Sequence, residues 1–244
     1  MAGAVKWYRG RVPLRAILFD AGNTLLRIDY AAIAAALAAR GVSRTPDELM
    51  HAEWRARVRL DADVFATGEI ASTEARTTHS RYLAYVLEGV GVTEPTVVDA
   101  MDAWRRGHNQ PLGLWTTPEP DAAPALTLAR QAGLRTGVIS NSNGMIKRIL
   151  AGLDLLRLVD VVLDSQEEGV EKPQREIFER ALARAGVAAA EAAYVGDLYS
   201  IDVLGARRAG LGGVLLDPGG CWGPRDCPTA ATVLDAVKRL LACT

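Results

Sequence analysis

The sequence predicts an α/β fold in which a parallel β-sheet domain is interrupted, after its first strand, by an inserted bundle of helices. A short apolar run at residues 16–19 ends in an aspartate and a small-residue turn, as a buried central strand does. Residues 27–112 show helical periodicity, and no strand is needed there. From residue 118 onward, helical and strand-like segments alternate, which is typical of a parallel sheet.

Composition limits the possible partners. The 244 residues suffice for one large α/β domain or for a core with an insert. The formal charge of −1, from 28 basic and 29 acidic residues, argues against binding to nucleic acid or anionic membranes. Residues 1–14 are expected to form a loose basic lead-in, and no apolar run is long enough for a signal peptide or a membrane span. We therefore expect a cytoplasmic protein that binds neither nucleic acid nor membrane.

The insert is predicted to contain four helices. The start of the second is well marked, because Thr45 precedes Pro46 at the first helical position and Glu48 completes a capping box. The predicted helices cover residues 30–40, 46–60, 72–88 and 94–106.

The segment after the insert is predicted to supply the rest of the sheet. Its strands are short apolar runs, and its helices have one apolar face. The predicted strands are 135–139, 159–163, 193–195 and 213–216, and the predicted helices are 124–132, 146–151, 174–185, 203–209 and 230–241.

Polar side chains follow several of these strands. Asp20 follows the first strand, at the edge where open α/β sheets bind ligands. Ser140 and Asn141 lie at the tip of another strand near a helix start, where a hydroxyl and backbone N–H groups suit an anion. Lys172 adds a cation ahead of the next long helix. Together these groups predict an anion-binding site.

Two further carboxylates, Asp197 and Asp202, come from one short loop after the strand at 193–195. Three carboxylates around one point, with Asp20 as the third, repel one another unless a hard cation joins them. Mg²⁺ fits, because it takes a few carboxylates together with waters and substrate oxygens.

Four motifs in this order resemble those of the haloacid dehalogenase-like hydrolase superfamily. They are Leu-Phe-Asp-Ala-Gly-Asn-Thr-Leu, Val-Ile-Ser-Asn-Ser, Glu-Lys-Pro-Gln-Arg-Glu-Ile-Phe and Val-Gly-Asp-Leu-Tyr-Ser-Ile-Asp. The resemblance implies a Rossmann-like parallel sheet core, formed by residues 1–26 and 113–244, with an all-helical cap at residues 27–112.

The resemblance also implies roles for the polar residues. Asp20 would be the nucleophile and form an aspartyl-enzyme intermediate. Ser140 and Asn141 would bind the transferring group, while Lys172 would stabilise its charge and position Asp20. The Mg²⁺ would be held by Asp20, the main-chain carbonyl of Gly22, Asp197 and Asp202. The cations are needed because a phosphate dianion about 4 Å from Asp20 would be repelled by roughly 8 kcal/mol at an effective dielectric of about 20.

Gly22 departs from the phosphatase pattern, which has a general-acid aspartate two residues after the nucleophile. Dehalogenases and phosphonate hydrolases of the superfamily share this absence. Phosphonate hydrolases need a cap lysine, but all four lysines, Lys6, Lys147, Lys172 and Lys238, lie outside residues 27–112.

Dehalogenases need no metal, whereas this chain keeps both Asp197 and Asp202. The sequence therefore favours a Mg²⁺-dependent hydrolase acting on small phosphate monoesters or on acyl and aryl phosphates. Two alternatives remain open at this point, a 2-haloacid dehalogenase and a non-catalytic protein that binds phosphate and Mg²⁺.

Overall fold

The computed structural model describes residues 13–67 and 71–243. The predicted basic lead-in at residues 1–14 falls almost entirely outside this range. The chain divides into two compact units: the segments up to Arg27 and from Pro118 onward form one, and Ile28–Thr117 forms the other. We call them the core unit and the helical unit.

The core unit contains a parallel sheet of six strands within the described residues, and this confirms the predicted α/β fold. The strand order is β5-β4-β1-β6-β7-β8, and a separate two-stranded sheet pairs β2 with β3. The strands are β1 Ala16–Phe19, β2 Leu26–Arg27, β3 Thr117–Pro118, β4 Arg135–Ser140, β5 Val161–Asp164, β6 Ala192–Gly196, β7 Gly212–Leu216 and β8 Thr229–Ala230.

The helical unit is built from helices α1 to α4. Thr45 and Glu48 form the predicted capping box at the start of the second helix, and Leu37, Leu49 and Met101 lie fully buried in the shared core. The helices are α1 Tyr30–Ala38, α2 Pro46–Leu60, α3 Arg76–Gly89 and α4 Pro95–Gly107. A π-helical turn, Asp61–Phe65, continues α2.

Helices pack on both faces of the core sheet because side chains of β1 alternate between two apolar layers. Ile17 and Phe19 belong to the layer that contains residues of α5 and α10, and Leu18 belongs to the layer that contains residues of α8 and α9. The core helices are α5 Ala122–Gln131, α6 Ile146–Gly152, α7 Ser165–Glu168, α8 Arg175–Ala185, α9 Leu204–Arg208 and α10 Val233–Leu241.

Two helices begin later than the sequence predicts. The last was expected from residue 230, but Thr229 and Ala230 extend the sheet as β8, and the Thr232 hydroxyl caps α10 by accepting the Asp235 N–H at 3.1 Å. The third was expected from residue 72, but Ser72 forms a turn in which its hydroxyl accepts the N–H of residue 74. Pairing with β7 therefore replaces the predicted first turn of the last helix, and a local side-chain hydrogen bond competes with the start of the third.

No helix within the described residues has both the length and the apolar character needed to span a membrane.

Candidate active site

The register of three neighbouring strands brings distant parts of the chain to one edge of the sheet. Phe19, the last residue of β1, lies beside Val138 of β4 on one side and Val195 of β6 on the other. Asp20 continues from β1, and its N–H donates to the Val195 carbonyl at 2.9 Å. Ser140 ends β4, two residues beyond the same level. The carboxyl ends of these strands therefore converge.

Three carboxylates meet at this edge. One carboxylate oxygen from each of Asp20, Asp197 and Asp202 lies within 4.8 Å of the others. All three residues are buried, with exposures of 7%, 4% and 1% respectively. Such a group has a strong excess of negative charge when ionised, and its hard oxygen donors suit a divalent cation. We call Asp20, Asp197 and Asp202 the acidic cluster.

Lys172 is the ammonium that contacts this cluster. It is 3% exposed. Its Nζ donates to Oδ1 of Asp20, to Oδ1 of Asp202 at 2.9 Å and to the hydroxyl of Tyr194 at 3.0 Å. These acceptors match the three protons of an ammonium group. Lys172 is thus fixed between two members of the acidic cluster.

Burial and neighbouring charges shift the pKa values of Asp20 and Lys172. Burial raises the pKa of Asp20 to about 6, although the Lys172 ammonium opposes this shift. Burial by itself would lower the pKa of Lys172, but the neighbouring Asp20 and Asp202 carboxylates raise it well above its usual value. Lys172 therefore stays charged. With a pKa of about 6, Asp20 is mostly ionised near neutral pH, and additional positive charge beside it would lower that pKa.

Asp202 is held by the loop that carries it. Its Oδ2 accepts the backbone N–H groups of Asp197 at 3.1 Å and of Leu198 at 2.9 Å, within a π-helical turn at Tyr199–Val203. A Cβ placed on Gly196 would lie 2.4 Å from Cγ of Asp202. Glycine is therefore required at position 196 to let this carboxylate approach the strand.

Asn141 connects two of the predicted motifs. Its side chain donates to the Lys172 carbonyl and accepts the Lys172 N–H, both at 2.8 Å. Its amide therefore fixes the loop that carries Lys172. The neighbouring Ser140 is buried, and its hydroxyl is 3.5 Å from the Asn141 carbonyl oxygen.

Asp164 is a positioning residue that sequence reasoning missed. It is fully buried at the end of β5. One of its oxygens accepts the Ser142 hydroxyl at 2.6 Å, and the other accepts the N–H groups of Gly144 and Gln166, both at 3.0 Å. These bonds shape the loop that follows Ser140. Asp164 immediately follows an apolar run, as Asp20 does, and that was the available signal.

The turn after Asp20 contains Gly22. The Ala21 carbonyl accepts the N–H groups of Leu25 at 2.9 Å and Leu26 at 2.8 Å. Asn23 adopts a left-handed conformation with φ of 52°, and its side chain donates to Oδ2 of Asp197 at 3.2 Å. The turn therefore contacts the acidic cluster through Asn23, while Gly22 offers no side chain for acid catalysis.

Comparisons with known proteins agree with this arrangement of motifs. A family model described as haloacid dehalogenase-like hydrolase matches residues 14–210. The chain is 34% identical over 215 residues to a ribulose-1,5-bisphosphate 5-phosphatase from Halopiger xanaduensis, which covers 83% of this chain and 84% of that protein.

Solved structures share the fold. A HAD-hydrolase from Bacillus subtilis bound to magnesium matches with a TM-score of 0.64 and 18% identity, covering 94% of this chain and 99% of that one. An L-2-haloacid dehalogenase from Xanthobacter autotrophicus matches with a TM-score of 0.56 and 21% identity, covering 92% of this chain and 97% of that one.

Proposed function

Because the chain belongs to the haloacid dehalogenase-like hydrolase family, we propose that it is a Mg²⁺-dependent hydrolase of small phosphate monoesters with Asp20 as its nucleophile. The acidic cluster carries this proposal, since its three carboxylates lie within 4.8 Å of one another. Lys172 alone does not balance three carboxylates. A phosphatase among the relatives supports phosphate-ester hydrolysis as the reaction.

The donor set fits Mg²⁺. The proposed ligands are one oxygen from each of Asp20, Asp197 and Asp202 together with the main-chain carbonyl of Gly22, and these are the hard oxygen donors that Mg²⁺ prefers. The bound ion would supply the positive charge that allows a phosphate dianion to approach a carboxylate. The similar structure from Bacillus subtilis contains magnesium, which supports this choice of metal.

The residues of the site then have distinct roles in the proposed reaction. A carboxylate oxygen of Asp20 attacks phosphorus, the bond to the ester oxygen breaks, and the leaving group departs with its electron pair. Ser140 and the backbone N–H of Asn141 bind the phosphoryl oxygens, and Lys172 orients Asp20 and offsets negative charge. Water then attacks the phosphorus of the aspartyl phosphate and the bond from phosphorus to the Asp20 oxygen breaks, so that inorganic phosphate is released and the Asp20 carboxylate is regenerated.

Gly22 narrows the proposed substrates. A positioned general acid is worth about 10²- to 10⁴-fold in rate when the leaving group is poor. With glycine two residues after Asp20, an alkoxide leaves without that help, whereas a phenolate or carboxylate needs it far less. We therefore propose that aryl and acyl phosphates are hydrolysed faster than alkyl phosphates.

We also propose that the helical unit, Ile28–Thr117, is the cap that the resemblance implies at residues 27–112, and that it selects the substrate while the core unit carries out the chemistry. In many enzymes, a loop or domain that closes over the substrate keeps the reaction away from water. The unit has its own buried core, which is consistent with a separate role.

The other candidates are less favoured. A 2-haloacid dehalogenase needs no metal, so it would not use the three buried carboxylates of the acidic cluster as a metal site. The likeness to a solved dehalogenase concerns the fold alone. A non-catalytic protein that binds phosphate and Mg²⁺ would keep the acidic cluster and lack turnover.

One experiment separates these three candidates. The purified protein is assayed with 4-nitrophenyl phosphate and with a 2-chloro acid, each in Mg²⁺ and in EDTA, beside Asp20→Asn. We expect aryl phosphate turnover that requires Mg²⁺ and falls by at least about 10⁴-fold in the variant, because it removes the nucleophile. Chloride release in EDTA would identify a dehalogenase, and phosphate binding without turnover would identify the non-catalytic protein.

A further inference from the structure

Tyr194 places a phenol hydroxyl against Lys172, and no role has so far been given to it. It is a fully buried residue of β6. Its hydroxyl accepts a hydrogen bond from Lys172 Nζ at 3.0 Å and donates to the Ile139 carbonyl at 3.2 Å. The hydroxyl therefore joins the lysine to the end of β4, one residue before Ser140.

The surroundings of the Tyr194 ring are apolar. The ring packs edge-on against Phe178, with the centroids 5.1 Å apart, within the apolar layer that also contains Leu18 and Ile139. A phenylalanine would fill the same space. Packing therefore accounts for the aromatic ring and leaves its hydroxyl unexplained.

The hydroxyl completes the coordination of the ammonium. Two of the Lys172 protons go to Asp20 and Asp202, and the third goes to Tyr194. Without the hydroxyl, that third proton loses its acceptor in a buried site, and a buried unpaired donor is costly. The ammonium would then shift toward the two carboxylates or tilt to find another acceptor.

We infer that Tyr194 is a positioning residue, because its hydroxyl holds the Lys172 ammonium where it contacts both Asp20 and Asp202. The hydrogen bond from the same hydroxyl to the Ile139 carbonyl fixes this position relative to the end of β4, which carries Ser140. This inference rests on the proposed function, because it concerns the lysine that orients the nucleophile. Misplacing a catalytic group by about 1 Å costs up to about 10²-fold in rate.

Tyr194→Phe tests this inference, with Tyr199→Phe as the matched control. The Tyr199 hydroxyl lies in the next loop and donates to Asp226 at 2.6 Å, away from Lys172. Both variants and the natural protein are assayed with 4-nitrophenyl phosphate and Mg²⁺, and thermal unfolding is followed for each. We expect Tyr194→Phe to lower kcat by about 10- to 100-fold while KM stays within about threefold, because orientation is lost and substrate binding is kept.

Each outcome bears on the inference. A kcat loss confined to Tyr194→Phe, in protein that is still folded at the assay temperature, supports it. A kcat within about twofold of the natural value overturns it, as does an equal loss in both variants or a loss explained by unfolding. If the natural protein hydrolyses no phosphate monoester at all, the proposed function fails first and the inference fails with it.

Discussion

The core unit and the helical unit each bury carboxylate oxygens against a cation and at least one tyrosine hydroxyl, but the two clusters differ in the number of carboxylates around that cation. In the helical unit, Glu53 is fully buried. Its carboxylate accepts hydrogen bonds from Arg57 Nε at 2.8 Å and from the Tyr30 hydroxyl at 3.1 Å. The Tyr82 hydroxyl and a second nitrogen of Arg57 also donate to it. The Glu53 carboxylate is therefore paired with the Arg57 guanidinium.

The acidic cluster of the core unit has three carboxylates against the ammonium of Lys172. A buried group with that charge excess is unstable unless another cation joins it. The comparison teaches that burial of charge alone does not identify a reactive site. The Glu53 cluster ties α1, α2 and α3 together through the hydrogen bonds of one carboxylate. The acidic cluster instead sets three carboxylates around the ammonium of Lys172.

The largest effect expected from this difference concerns stability. Glu53→Gln leaves the buried Arg57 without its carboxylate, and breaking a buried ion pair from one side costs about 3–5 kcal/mol. We expect urea unfolding to show this loss in the free energy of unfolding. The control is Glu88→Gln, because the natural Glu88 carboxylate pairs with an arginine at the surface. We expect this variant to leave the midpoint of urea unfolding unchanged.

The corresponding substitution in the core unit should increase the free energy of unfolding or leave it unchanged. Asp20→Asn removes one of three like charges, and Lys172 keeps its bonds to Asp202 and Tyr194. The free energy of unfolding without metal should therefore stay the same or rise. If Asp20→Asn were as destabilising as Glu53→Gln, the two clusters would be equivalent and the comparison would be wrong.

The next effect concerns the proposed Mg²⁺. A ligand that binds only the folded protein stabilises it by about 2.7 kcal/mol when its concentration is about 100 times its dissociation constant. We expect Mg²⁺ to raise the thermal midpoint of the natural protein by roughly 5–10 °C. Asp197→Asn should abolish most of this rise. Ca²⁺ and Na⁺ at matched ionic strength provide the controls, and an equal rise with Na⁺ would mean that the effect is general screening.

The two clusters also differ in how far the sequence predicts them. The sequence indicates Asp20, Ser140 and Asp197 as site residues because each lies at or just after the end of an apolar run. Parallel strands bring their carboxyl ends to one edge of the sheet. Glu53 carried no such signal. It lies within an amphipathic helix, where a glutamate is usually solvated, and its tyrosine partners are 23 and 29 residues away in the chain.

The same limit explains the other differences. Anion binding by Asn141 stays a prediction, but no local pattern indicates that its side-chain amide bonds the backbone of Lys172, 31 residues later. The sequence predicts Ala230 as the first residue of a helix, but its pairing with β7 makes it part of β8. Local patterns predicted the sheet and its polar edge, while contacts between distant segments decide how each side chain is used.

The smallest expected effect concerns Gly22, in the turn that follows Asp20. Gly22 does not have a positive φ, so an L side chain is compatible with its backbone. Gly22→Asp would place a carboxyl group two residues beyond Asp20, where a protonated form can donate to a departing oxygen. We expect kcat/KM for an alkyl phosphate to rise about tenfold relative to an aryl phosphate, equivalent to about 1.4 kcal/mol of barrier.

The measurement is the ratio of kcat/KM for the two substrate classes in the natural protein and in Gly22→Asp, with Gly22→Asn as the isosteric control. Asparagine has the size of aspartate but cannot transfer a proton in this way, so its ratio should stay near the natural one. A rise in both variants would point to a change in the turn rather than to acid catalysis. An added carboxyl group also increases the negative charge around the acidic cluster, so the gain should appear only when Mg²⁺ is present.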